Sequence, residues 1–232
     1  MTDGLDIQLA RAAREMDAAE GSEELLDVAV GWSMAVVPRC QMAGVTMRRR
    51  RGRLESVSPS DPVVVACDLL QYELEEGPCL DAITDDTVIA AGDVARDPRW
   101  PRWGPQVAKD HGIAGMLSVR LFSSETVHGA LNLYSREPGA FDTYAIDIAV
   151  LLATHVSVAL GSALSDENLR LAVDSRHLIG QAQGILMERF SLDAAAAFAV
   201  LSRVSQDRNI RLVAVAEHVV RRRELPGAPV QV

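Results

Sequence analysis

The sequence contains few cysteines and no segment that resembles a secretory signal. Its 232 residues include three cysteines, Cys40, Cys67 and Cys79, which form neither a CxxC pair nor a zinc-ligand pattern. An odd number of widely spaced cysteines favours reduced thiols. No basic stretch followed by an apolar one opens the chain, and no apolar run approaches the roughly 20 residues that span a bilayer. From these absences we expect a cytoplasmic protein that is not inserted in a membrane.

Catalytic signatures are also missing. The sequence has no glycine-rich phosphate loop, no GxSxG motif and no HExxH motif. Its five histidines lack the spacing of metal ligands. We therefore predict that the protein is not an enzyme and has no metal site. The sequence does not identify a cofactor.

The net charge of −9 is distributed unevenly along the chain. Residues 1–164 hold 14 Lys and Arg against 24 Asp and Glu, a balance of −10, whereas residues 165–232 hold nine against eight. A balance of +1 is a weak electrostatic footprint for a segment that binds nucleic acid. Any such binding would depend on shape, on base contacts, or on dimerisation that doubles a modest patch.

The first two thirds of the chain mix helical and strand patterns. Helices are predicted at residues 5–19, at 25–37 with Ser22 as the cap, at 68–75, and in a segment that ends near His111. Strands are predicted at 42–47, 54–57, 62–67, 88–90, 115–122 and 127–134. The basic segment 48–53 is interpreted as a hairpin turn, with an anionic partner as the alternative. This mixture predicts an α+β domain with a largely antiparallel sheet.

A long uninterrupted helix is predicted from Thr143 to Arg189, because this stretch contains no proline. Within it, four apolar residues recur every seven positions: Leu164, Leu171, Leu178 and Ile185. Such a seam is typical of a parallel helix pair, and Asn168 at a +4 position would fix its register. We expect a homodimer through this seam. The alternative is an amphipathic helix that packs inside one protomer.

Two further helices are predicted after the long one. Ser191 is the expected cap of a helix over residues 192–206, with Asp193 in its first turn, and Asn209 is the expected cap of the last helix. The residues expected to face inward are Ala194, Ala197, Phe198, Leu201, Val204, Leu212, Val213, Val215, Ala216, Val219 and Val220. Small residues are expected at close helix crossings: Ala182, Gly184 and Ala197. The pattern predicts a compact all-α three-helix bundle.

The amino-acid sequence of these helices is similar to that of a known family. The similarity lies in residues 176–189 (RHLIGQAQGILMER), Ala197-Phe198, Leu201-Ser202, Asn209 and the run 213–220. These segments resemble the ANTAR domain, and the resemblance implies a module that binds RNA hairpins in transcription antitermination. It points to eight RNA-contact residues: Arg176, Gln183, Arg189, Arg203, Gln206, Arg208, Asn209 and Arg211. Gln183 stands where the family often has a lysine, which removes one phosphate contact.

The preceding part of the chain resembles a second family. Four short motifs follow one another: residues 76–82 (EGPCLDA), 97–101 (DPRWP), 129–134 (GALNLY) and 140–142 (AFD). Their order is similar to the GAF half of actinobacterial GAF–ANTAR regulators, which implies a domain that senses an unidentified small ligand or signalling partner. The candidate pocket residues are Cys79, Trp100, Trp103 and Tyr134. For Cys79 a redox or ligand thiol and a packing cysteine are both open.

These resemblances imply a particular organisation of the chain. It comprises an N-terminal helix at 1–21, a GAF-like sensor at 22–164, an ANTAR-like RNA-binding domain at 165–225 and a flexible tail at 226–232. The function implied is a signal-responsive RNA-binding regulator of transcription antitermination. The alternative is an adaptor whose helical tail contacts a second copy or a partner protein without binding RNA. Salt dependence distinguishes the two, because only phosphate contacts weaken steeply with salt.

Overall fold

The structure is a computed structural model that describes residues 4–85, 87–124 and 126–226. The chain divides into two compact units, Met1–Leu164 and Ser165–Val232. Of the flexible tail expected at 226–232, all but Pro226 lies outside the described residues.

The first unit is built around a five-stranded antiparallel sheet with the strand order β2-β1-β5-β4-β3. Its elements in chain order are α1 (Leu5–Asp17), α2 (Ser22–Val36), β1 (Met42–Arg48), β2 (Leu54–Val57), α3 (Pro62–Leu74), α4 (Pro78–Thr84), β3 (Val88–Ala91), α5 (Trp103–His111), β4 (Gly115–Ser123), β5 (Thr126–Ser135) and the start of α6 (Thr143–Phe190). This arrangement confirms the predicted α+β class with an antiparallel sheet.

The two faces of the sheet bury different sets of side chains, because successive residues of a strand point to opposite sides. On β4, Leu117, Val119 and Leu121 belong to a cluster shared with α1, α2 and α6. Met116 of the same strand belongs to a second cluster with residues of α3, α4 and α5. The sheet therefore lies between two helical layers.

One predicted strand is wrong. Residues 62–67 are not extended but form the first half of α3, which continues to Leu74. The carboxylate of Asp61 accepts a hydrogen bond from the Val63 amide at 2.8 Å, and Pro62 occupies the first turn, where its missing N–H costs nothing. These two N-terminal signals outweigh the strand preference of the three consecutive valines. The expected Ser22 cap is also wrong, since α2 begins at Ser22 and Gly21 is its N-cap.

The long helix is confirmed as α6, which runs over 48 residues from Thr143 to Phe190. By length and composition α6 is the one described helix that passes as a membrane span, which corrects the expectation that no such run exists. Its apolar residues are instead used in the first unit. Seven of them are buried against the sheet and its neighbouring helices: Ala145, Ile148, Ala149, Leu152, Ala153, Val156 and Leu160. The first part of α6 thus belongs to the core of the first unit.

The second unit contains the end of α6, then α7 (Ala194–Arg208) and α8 (Leu212–Arg222), which confirms the three-helix prediction. Both predicted caps are wrong. Asp193, not Ser191, caps α7, since its carboxylate accepts from the Ala196 amide at 2.7 Å. Asn209 ends α7 in a left-handed conformation with φ 52° and ψ 40°, and Arg211 is the N-cap of α8. Asn tolerates this conformation, which makes it as suitable after a helix as before one.

The core of the second unit consists of Ala182, Leu186, Ala197, Leu201, Val215, Ala216 and Val219. The predicted inward stripe of α8 is confirmed in its centre, but Ala194 and Phe198 of α7 are exposed. The buried stripe of α7 instead consists of Ala197 and Leu201, with Val200 and Val204 partly buried beside them. Gly184 is not at a close helix crossing either. A Cβ placed on it would meet no atom within 4 Å.

Candidate functional site

The four residues predicted for the sensor pocket lie in the cluster between the sheet and α3, α4 and α5. The Trp100 indole donates to Oδ2 of Asp81 at 2.8 Å, and the Trp103 indole donates to the Cys67 carbonyl at 3.1 Å. The two rings meet edge to face with their centroids 6.1 Å apart. Both indoles, with Cys79 and Tyr134, are therefore held in a packed interior.

A buried carboxylate organises the polar part of this interior. Asp68 on α3 accepts hydrogen bonds from Tyr134 at 2.5 Å and from Ser56 at 2.7 Å. Longer contacts at 3.4 Å join it to Thr46, Gln71 and Asn132. All five donors are uncharged. A fully buried charge that is held only by neutral donors keeps a high energetic cost of desolvation.

Burial raises the pKa values of the acidic groups in this interior. It raises the pKa of Asp68 to about 6, against the lowering effect of the hydrogen bonds from Tyr134, Ser56, Thr46 and Asn132. Burial, reinforced by the negative charge of Asp68, also raises the pKa of the Cys79 thiol to about 12. At neutral pH this thiol is protonated, whereas the reactive form of cysteine is the thiolate. The geometry favours a packing role for Cys79.

In the second unit five of the predicted RNA-contact residues gather where α7 meets α8. We name this set the α7–α8 corner: Arg203, Gln206, Arg208, Asn209 and Arg211, all exposed. The corner is shaped by a hydrogen bond from the Ile210 amide to the Ser205 carbonyl at 3.1 Å. No side-chain cap satisfies the first turn of α8. Its unpaired N–H groups and the positive end of its dipole thus lie next to the Arg211 side chain.

The remaining predicted contact residues lie elsewhere. Gln183 donates to the Ala194 carbonyl at 3.1 Å and so faces the beginning of α7. Arg189 donates to the Arg223 carbonyl at the end of α8. Since α8 has 11 residues, its two ends are about 16 Å apart. Arg176 lies two turns before Gln183 on α6. The structure therefore brings together the α7–α8 corner but not all eight residues.

A groove of about 660 Å³ lies between the last turns of α6 and the end of α8. It is lined by Gln181, Gly184, Ile185, Glu188, Arg189, Val220 and Arg223. We refer to it as the α6–α8 groove. Only Arg189 among its lining residues belongs to the predicted contact set.

The second unit matches the ANTAR domain family over residues 167–220. The first unit matches the GAF domain family over residues 19–161. The chain belongs to the GAF–ANTAR regulators. ANTAR domains are RNA-binding antiterminator modules and GAF domains are sensors, so both halves of this GAF–ANTAR protein are regulatory domains.

Solved structures support the fold of the GAF domain. The GAF domain of a phosphoenolpyruvate-protein phosphotransferase from Acinetobacter is similar with a TM-score of 0.55 and 16% identity, covering 72% of this chain and 99% of that one. A free methionine-R-sulfoxide reductase from Neisseria meningitidis gives 0.55 and 15%, covering 72% and 95%. The GAF domain of the cyanobacteriochrome TePixJ gives 0.52 and 14%, covering 64% and 94%. At these identities the likeness establishes the fold alone. A comparison with curated proteins found no match.

Two features of this GAF–ANTAR protein were not predicted from its sequence. The Asp68 network was missed because aspartate is ordinarily a surface residue, and only the helical reading of residues 62–74 turns Asp68 inward. The α6–α8 groove was missed because Gly184 was interpreted as a packing glycine. A signal was present, since Gly180 and Gly184 lie one turn apart inside a helix. Each interior helical glycine costs about 1 kcal/mol relative to alanine.

Proposed function

We propose that this GAF–ANTAR protein is a signal-responsive regulator of transcription antitermination that acts in the cytoplasm as a homodimer and not as an enzyme. Residues 22–164 form the sensor, with the segment 1–21 as an added helix. Residues 165–225 bind a hairpin in a nascent transcript. Bound RNA is held in a structure that excludes the terminator hairpin.

The observation that carries this proposal is the α7–α8 corner. Arg208 and Arg211 flank a left-handed turn at Asn209, directly before the uncapped first turn of α8. Guanidinium groups beside a free helix N-terminus suit phosphate oxygens. The side-chain amides of Gln206 and Asn209 suit base edges in an open RNA loop. The near-neutral charge of this domain is then offset locally, since three arginines lie at the corner and one of them, Arg203, has Asp207 beside it at 4.0 Å.

The dimer is proposed through the part of α6 that belongs to neither core. Leu171 is 64% exposed in the protomer. The two end residues of the heptad seam are already partly buried within the protomer, since Leu164 packs against the core of the first unit and Ile185 against that of the second. The centre of the seam is therefore the part that a second copy would cover.

A signal at the GAF domain changes RNA binding only if it favours one of two arrangements of the protein over the other. Helix α6 contributes residues to both units, which makes it the proposed route of coupling. The signal itself is a small ligand or a signalling partner.

The test is selection of RNA by the purified full-length protein. A pool of hairpin RNAs with a fixed stem and a randomised loop is retained on the protein at moderate salt, recovered and sequenced. Enrichment of a shared loop supports the proposal. A folded, dimeric protein that enriches no hairpin contradicts RNA binding.

The second candidate function is a protein-interaction adaptor that does not bind RNA. Exposed Leu169, Leu171 and Val173 on α6, together with the weak net charge of the ANTAR domain, favour it. The affinity of such an adaptor for its protein partner should be insensitive to salt, because an apolar helix interface releases no counterions.

A further inference from the structure

We propose that the α6–α8 groove holds one unpaired base from the loop of the bound RNA hairpin. This inference rests on the proposed RNA-binding function and adds a second contact site to it. The groove and the α7–α8 corner lie toward opposite ends of α8, about 16 Å apart along the helix. A hairpin that contacts both would place its backbone on the corner and an extruded base in the groove.

The glycines of α6 are the first reason for this assignment. Gly180 and Gly184 are exposed, and a Cβ at either position would meet no atom within 4 Å. Packing within the protomer therefore does not require glycine at these positions, although glycine weakens a helix. A missing side chain instead allows a flat ligand to approach the backbone closely. At Gly184 the open space is the groove itself.

The chemistry of the lining is the second reason. Ile185 and Val220 supply apolar surface for the face of a base. Gln181 offers both a donor and acceptors at the groove wall, and Glu188 accepts from exocyclic amino groups. Arg223 adds a cation for the adjoining phosphate. A volume of about 660 Å³ lies within the ordinary range of small-ligand sites.

Two of the polar side chains are already fixed by contacts within the protomer. The Gln181 amide lies 2.8 Å from Nε2 of His177, one turn earlier on α6. Arg189 donates to the Arg223 carbonyl, which satisfies one of its five N–H donors and leaves the others for a ligand. Side chains that are oriented before binding lose less entropy when the ligand arrives.

A second copy of the chain is a poorer occupant than RNA. Closely spaced glycines also suit helix–helix contact, but a twofold contact places the same residues of both copies in one interface. The groove of each copy is lined by two arginines and one glutamate, so joining two copies would concentrate net positive charge in one interface, which is unfavourable. An anionic strand turns the same arginines into favourable partners.

The experiment uses the full-length protein and the tightest hairpin recovered from the randomised-loop pool. Gly184→Leu fills the groove, and Gly31→Leu is the matched control, since Gly31 is also an exposed helical glycine with no atom within 4 Å of a Cβ. Both substitutions are expected to keep or raise the thermal midpoint. Gly184→Leu is expected to weaken hairpin binding on the order of 10-fold, whereas Gly31→Leu leaves it unchanged.

A base-by-base readout connects the loss to the groove. Each loop nucleotide is replaced in turn by an abasic one. With the wild-type protein one position is expected to cost on the order of 10-fold in affinity. With Gly184→Leu the same replacement should cost nothing further, because that base no longer enters. Gln181→Ala, at an exposed position, should relax the base preference there without changing the fold.

The outcomes separate this inference from the function on which it rests. Hairpin binding by Gly184→Leu equal to that of the wild type overturns the groove while leaving RNA binding in place. A change in the mass of Gly184→Leu in solution without RNA assigns the groove to a second copy and likewise overturns it. If the wild-type protein itself retains no hairpin, the proposed function fails and this inference fails with it.

Discussion

The hydroxyl of Tyr134 donates a hydrogen bond of 2.5 Å to Oδ1 of Asp68, in the interior between the sheet and α3. Tyr134 was predicted to line a ligand pocket, and in this structure it stabilises a buried negative charge. Neither residue is exposed to solvent. Because the other donors to Asp68 are also neutral, burial dominates and raises the pKa of this carboxyl.

The stability of the sensor should depend on the protonation of Asp68. Burial raises its pKa to about 6 from an ordinary value of 3.8, so the folded protein binds this proton more tightly than the unfolded chain does. The stabilisation of the folded state by the protonated Asp68 carboxyl is therefore fully present below about pH 4 and is lost as the pH rises through about 6. Asp68→Asn removes the titration. As the pH rises from 4 to 7, the free energy of unfolding of the variant should increase on the order of 2–3 kcal/mol relative to that of the wild type.

Urea unfolding at a series of pH values measures this difference. Asp147→Asn, at an exposed position of α6, is the control and should follow the wild-type curve in shape. Parallel curves for Asp68→Asn and the wild type would show that Asp68 does not titrate differently in the folded protein.

Helix α7 should depend on Asp193 and not on Ser191. The Asp193 carboxylate accepts from the Ala196 amide at 2.7 Å, whereas Ser191 lies in a left-handed turn with φ 51°. Asp193→Ala is expected to lower the free energy of unfolding by about 1 kcal/mol. Ser191→Ala should change it by less than about 0.5 kcal/mol. Thermal denaturation followed by circular dichroism compares the two, and an equal loss in both variants would contradict the assigned cap.

The prediction of α7 illustrates what the sequence determines and what it does not. Apolar spacing correctly located the helix and its buried Ala197 and Leu201, because a 3.6-residue period survives an error in the starting residue. The cap was misplaced because Ser191 and Asp193 are both good capping residues, and only the path of the chain selects between them. The exposure of Phe198 has a different cause: Phe198 is 44% exposed, whereas Val200, on the other side of the stripe formed by Ala197 and Leu201, packs against the core.

The positions of the functional residues were predictable only in part. The five strands of the sheet and the long helix were predictable because their patterns are local, whereas the valine-rich segment 62–67 was wrongly predicted as a strand. The separation of Arg189 from Arg211 was not, since it depends on which ends of α6 and α8 meet in the bundle. A buried Asp68 was unpredictable for a related reason, because its burial follows from the packing of α3 on the sheet.

The proposed dimer seam can be tested with two neighbouring leucines. Leu169 and Leu171 are both 64% exposed on α6, and two residues along a helix point in directions about 200° apart. Leu171→Lys places a charge in the seam and should convert the dimer to a monomer in light scattering. Leu169→Lys adds the same charge outside the seam and should leave the mass unchanged. A dimer that persists in Leu171→Lys, or is lost in both variants, argues against this seam.

The α7–α8 corner should account for much of the salt dependence of RNA binding. Arg208→Ala combined with Arg211→Ala removes the two cations beside the first turn of α8. Each lost phosphate contact lowers the slope of log affinity against log salt by about 1, so the double variant should lose about 2. Its affinity for a selected hairpin should fall on the order of 10-fold or more at moderate salt.

Arg50→Ala combined with Arg51→Ala is the matched control, because it removes the same charge from exposed positions in the basic turn of the first unit. Equal losses in both double variants would indicate a general effect of net charge, and wild-type affinity in the corner variant with an intact fold by circular dichroism would remove the corner from the RNA-binding surface.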